Sequence, residues 1–128
     1  MSFEISKLKD RCCIPKFISY VRSLPCCACG RLSTASHMKS VKYADGSDAL
    51  AVNACMPTHH VASTRTSREI LERAGINIEL QHRKLWIGFC ERENIAMDRH
   101  LDEAEFERLC ELHGLREKPP TKRKANFR

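Results

Sequence analysis

Apolar positions fall in short stretches whose spacing changes along the chain. Pro15 suits a first helical turn, and Phe17, Ile18 and Val21 follow at helical spacing before Pro25, which predicts a short helix. Between Leu32 and Asn53 the helical period disappears, and Ala44-Asp45-Gly46-Ser47-Asp48 interrupts the stretch with turn-forming residues. Two short strands joined as a β-hairpin are expected there. Pro57 then favours the first turn of a helix carrying His59 and His60. Thr66 and Glu69 stand at capping-box spacing ahead of Ile70, Leu71 and Ala74, with Gly75 placed to close that helix. Asn77 is a candidate cap for a longer helix whose Leu85, Trp86 and Phe89 supply core. Asp102 and Glu105 open a last helix using Phe106, Leu109 and Cys110 before Gly114. The expected order is helix, cysteine turn, hairpin, helix and a helical C-terminal half, an α+β class.

At 128 residues and 42% hydrophobic, the chain fits one domain with a modest core. Its eight cysteines are not preceded by an apolar leader, because the sequence opens MSFEISKLKDR, so a reducing cytoplasm is expected. No apolar run approaches the roughly 18 residues a membrane span requires.

The net charge of +6 is concentrated at one end. Residues 116–128 hold six basic side chains against Glu117, leaving sixteen basic and fifteen acidic ones in residues 1–115. Pro119-Pro120 ends the preceding helix. The division expected is a domain over 1–115 and a flexible basic tail over 116–128, in which Lys122, Arg123 and Lys124 suit phosphate backbones; a solubilising tail is the alternative.

The chemistry centres on sulfur and imidazole. Cys26 and Cys29 form a CxxC pair, and Cys55 with His59 and His60 follows about two dozen residues later. Zinc accepts four such ligands in a tetrahedron and clamps segments too small to hold themselves by burial. Cys26, Cys29, Cys55 and His59 complete one shell, with Cys27 as a substitute for Cys26, and His60 is left over. Cys90 and Cys110 fall at core positions, Cys12 and Cys13 have no partner motif, and His82, His100 and His113 read as surface or helix-end residues.

The ordered set Arg22-Ser-Leu-Pro-Cys26-Cys-Ala-Cys29-Gly30, Ala35-Ser-His37, Ser47-Asp48, Val52 to Cys55, His59-His60 and Glu72-Arg-Ala-Gly75-Ile76 resembles the phage-encoded HNH-superfamily nucleases of the recombination-enhancement (Ref-like) type. The likeness spans roughly residues 17 to 90. It implies a zinc-stabilised ββα-metal core with N- and C-terminal helices, and a metal-dependent endonuclease or nickase that hydrolyses nucleic-acid phosphodiesters, DNA above all, in phage recombination within a bacterial host's cytoplasm. In that reading His37 is the general base, because an imidazole titrating near neutrality can take a proton from the attacking water. His60 binds a catalytic magnesium or manganese ion, Asp48 is the nearest oxygen ligand for it, and Lys39 contacts a phosphate. A host or phage recombination protein is the implied protein partner. Thr64 stands where similar chains tend to carry a further histidine. The second reading is therefore a catalytically inactive zinc module on the same fold, binding DNA or a host protein.

Overall fold

The computed structural model describes residues 13–38, 47–56 and 64–117. The elements are α1 (Pro15–Ser23), β1 (Thr34–His37), a 3-10 turn (Asp48–Leu50), β2 (Ala51–Ala54), α2 (Thr64–Arg73), α3 (Ile78–Arg92) and α4 (Glu103–Leu112). β1 and β2 pair antiparallel, with Thr34 opposite Ala54 and His37 opposite Ala51. This is the expected α+β arrangement. Its helices lie on both sides of a very small sheet.

The hairpin separates two apolar clusters. Ala35 and Ala51 project into the larger one, made by Phe17 and Val21 of α1, Leu85, Trp86, Phe89 and Cys90 of α3, and Phe106 and Cys110 of α4. Val52 and Ala54 belong to the smaller one, with Met38, Leu50, Leu71 of α2 and Ile78. Both faces are covered, so all four residues of β2 are buried. A strand buried on two sides has no reason to alternate apolar with polar. Phe17, Phe89 and Phe106 interlock at the centre, with edge-to-face ring pairs whose centroids are 5.0 to 6.1 Å apart.

Local signals explain most helix ends. Pro15 occupies the first turn of α1. The side chain of Asn77 accepts from the Leu80 amide at 3.1 Å, and Asp102 accepts from Glu105 at 2.9 Å. Gly75 follows α2 with φ +91°, a backbone conformation glycine adopts without penalty. α2 begins at Thr64, two residues before the start expected at Thr66. The expected boundary puts Arg116 and Glu117 in the tail, yet Glu117 is held to the body: its amide donates to the Cys13 carbonyl at 2.7 Å. The expected helix carrying His59 and His60, and residues 118–128, lie outside the described residues.

Candidate metal centre and the His37–Asp48 pair

The chain turns sharply between Pro25 and Leu32, which bridge each other, and the Cys26 carbonyl accepts from the Gly30 amide at 2.9 Å. That turn sets Cys26 and Cys29 on one side. Cys55, immediately after β2, comes to the same point, so the three sulfurs all lie within 4.8 Å of one another and those of Cys29 and Cys55 are 3.4 Å apart. Sulfurs of a tetrahedral zinc site, each about 2.3 Å from the metal, sit about 3.8 Å apart. Three thiols at such spacing on a partly exposed turn fit zinc as donors and in geometry.

The thiols are not alike. Burial pushes the Cys26 thiol up, but N–H groups of Ala28, Cys55 and Cys29 aimed at its sulfur outweigh this and leave its pKa lowered. The Ala28 amide donates to that sulfur at 3.4 Å. Cys27 is pushed up to about 11, first by burial and then by the neighbouring Cys26. It packs against the smaller apolar cluster. The group that could hold a metal contains Cys26, and the alternative that put Cys27 in its place does not match it.

The cysteine turn is tied to the sheet by protein bonds as well. The Cys27 amide donates to the Asn53 carbonyl at 2.9 Å, and the Asn53 side-chain amide donates to the Pro25 carbonyl at 2.7 Å. Asn53 in turn accepts from Gln81 of α3 at 2.9 Å. Its role is structural: a buried side chain with both ends satisfied locks the turn, β2 and α3 together. A lone asparagine in an otherwise apolar strand is the signal that could have found it.

About the end of β1, a second constellation forms. His37 Nε2 and Asp48 Oδ1 lie 2.9 Å apart, and Asp48 Oδ2 accepts from the Ile14 amide at 2.7 Å. A carboxylate only accepts, so Nε2 carries a proton in this bond, and in the neutral ring Nδ1 is the nitrogen with the lone pair. Asp48 is thereby fixed from two directions, while His37 remains about one-third exposed at its side chain. Each Asp48 oxygen makes one of these bonds. Among the described residues, the cysteine trio is the only group of three or more potential ligands.

His82, expected at the surface, is buried instead. Its Nε2 bonds the Leu50 carbonyl at 3.0 Å and its ring stacks on Trp86, one helical turn away. Burial lowers its pKa to about 4, against the smaller opposing effect of the Leu50 hydrogen bond. His100 and His113 are exposed, as expected. Cys90 and Cys110 are fully buried, and burial pushes their thiols up to about 11 and about 12. The predicted site residues His59, His60, Lys39, Lys122, Arg123 and Lys124 lie outside the described residues. No protein-family model matches this chain, and neither curated proteins nor solved structures give a significant match.

Proposed function

We propose that this chain is a zinc-stabilised, metal-dependent nuclease of the ββα-metal type that hydrolyses nucleic-acid phosphodiesters. The observation that supports it most is the His37–Asp48 pair at the end of β1, beside a hairpin whose root carries three metal-competent thiols. His37, held by Asp48 through Nε2, takes a proton from water at Nδ1 as the water oxygen bonds to phosphorus and the opposite P–O bond breaks. His59 completes the zinc shell with Cys26, Cys29 and Cys55. His60 and Asp48 would hold magnesium or manganese, which would supply charge neutralisation at the leaving oxygen. Lys39 and the basic residues Lys122, Arg123 and Lys124 contact phosphates. The setting proposed is phage recombination in a bacterial cytoplasm, with DNA as substrate and a recombination protein as partner.

One feature favours the second reading, a catalytically inactive zinc module that binds DNA or a host protein: Thr64 stands where similar chains tend to carry a further histidine, and a hydroxyl is a poor substitute for an imidazole ligand. A cleavage assay decides between them. The native chain and His37→Ala are compared on single-stranded, duplex and branched DNA and on RNA, each with Mg²⁺ and with Mn²⁺. Cleavage by the native chain that His37→Ala abolishes, with zinc content and DNA binding unchanged, supports the nuclease. DNA binding without cleavage under every condition supports the module.

A further inference from the structure

Asp48 opens a one-turn 3-10 helix, and the two residues after it are gripped by α3. Trp86 Nε1 donates to the Ala49 carbonyl at 2.7 Å, and His82 Nε2 meets the Leu50 carbonyl at 3.0 Å. The two donors lie four residues apart on α3, their rings stacked with centroids 5.7 Å apart and planes 15° from parallel. Such spacing puts both on one face of the helix. The Leu50 carbonyl also accepts from the amide of Met38, the residue after His37, at 3.0 Å. One carbonyl therefore joins the end of β1, the turn carrying Asp48, and α3. On its other side the turn is met by α4, where Ser47 donates to Glu107 at 3.2 Å.

A carbonyl oxygen only accepts, so His82 serves as an Nε2–H donor and Trp86 can do nothing else. Both are buried, where a hydrogen bond of good geometry is worth more than in water and fixes direction as well. The pair is more than core filling, because a leucine and a phenylalanine would fill the space without choosing where Ala49 and Leu50 point. We infer that His82 and Trp86 are positioning residues for the His37–Asp48 pair, which they aim by holding the Ala49 and Leu50 carbonyls of the turn that Asp48 opens. In its catalytic arm this rests on the proposed role of His37; the geometric arm does not.

The test uses the full zinc-loaded chain and two substitutions at one position. His82→Met removes the donor while filling similar space, and Leu50 keeps its bond from Met38, so no buried acceptor is stranded. His82→Gln returns an N–H near the place of Nε2. Long-range ¹H–¹⁵N spectra at one fixed pH report which nitrogen of His37 carries the proton. The native chain and His82→Gln are expected to show the Nε2–H form, and His82→Met a shift of the His37 nitrogen signals toward a tautomer mixture. Trp86→Phe is expected to produce the same shift. In the cleavage assay, His82→Met should lose between about tenfold and a hundredfold in kcat with KM within about twofold, because displacement of a reacting group raises the barrier without weakening binding. A folded, zinc-loaded His82→Met with native His37 signals overturns the inference, as does a His82→Gln chain as perturbed as His82→Met. Should the native chain cleave nothing, the nuclease reading fails and the spectra alone judge the positioning role. Should it cleave while His82→Met keeps both native signals and native kcat, the positioning role fails and the nuclease reading stands.

Discussion

The hydroxyl of Tyr20 on α1 lies where a side chain on residue 88 of α3 would begin, so a Cβ at Gly88 would force the Tyr20 ring or the two helices to shift. Alanine is the better helix former by about 1 kcal/mol, which argues for a gain on Gly88→Ala. The clash with a rigid phenol argues the other way, and overpacking of this kind costs about 1–3 kcal/mol. We expect net destabilisation, seen as a lower midpoint in thermal or urea unfolding. Combining Gly88→Ala with Tyr20→Phe should recover part of the loss, because the closest atom is then gone. A raised midpoint for Gly88→Ala alone would show that α1 yields freely.

Metal analysis of the purified chain should give one zinc per molecule. Cys26→Ala, Cys29→Ala and Cys55→Ala should each lose the metal and the cooperative unfolding transition, since metal binding in such small modules is coupled to folding. Cys27→Ser should keep both, its thiol being packed against the smaller cluster and not part of the sulfur trio. Zinc-free protein that still unfolds cooperatively, or loss of zinc on Cys27→Ser, contradicts this assignment.

His82 makes stability depend on pH with a defined sign. Its folded pKa is lowered to about 4 by burial, below the ordinary imidazole value of 6.5. The unfolded chain therefore takes up a proton at higher pH than the folded one does. Stability is full above about pH 6.5 and falls as the pH drops toward 4, by an amount on the order of 3 kcal/mol. Urea unfolding across pH 4 to 7 measures this slope, and His82→Gln should flatten it over that window. Equal slopes for the two chains would mean that His82 titrates normally.

Truncation after Glu117 keeps the bond to Cys13 and removes five basic residues, Lys118, Lys122, Arg123, Lys124 and Arg128. The shortened chain should fold and bind zinc as before. Its DNA affinity should fall, and on duplex DNA the slope of log affinity against log salt should become shallower by about 0.9 for each phosphate no longer neutralised. An unchanged slope would assign these residues to solubility.

What the sequence disclosed and what it hid divide along sequence separation. Asn77 and Asp102 are legible as caps because each bonds an amide three residues on, a relation contained within its own turn. Cys26, Cys29 and Cys55 are legible because metal geometry demands ligand types at set spacing. The hairpin emerges from a missing helical period and a turn-rich interruption. His82 reads wrongly as a surface residue because its partner is a backbone carbonyl 32 residues away, to which no side-chain pattern points. Asn53 is visible as an oddity but not as a lock, since its two partners, Pro25 and Gln81, each lie 28 residues distant. His37 and Asp48 stand out separately in the chain. Their direct bond is evident only in the fold, which holds the 3-10 turn opened by Asp48 against α1, α3 and α4.

The bond from Glu117 to Cys13 has a consequence for reach. Cys13 is the neighbour of Ile14, whose amide holds Asp48, so residues 118–128 are rooted one residue from the chain that supports the proposed site. Eleven residues, fully extended, cover at most about 40 Å. On duplex DNA, rising about 3.4 Å per step on each strand, that is a radius of about twelve base pairs. Under the proposed function, any phosphate that a basic residue beyond Glu117 engages would lie within that radius of Glu117, and the contribution of these residues would take the form of a raised local concentration of that stretch of nucleic acid near His37.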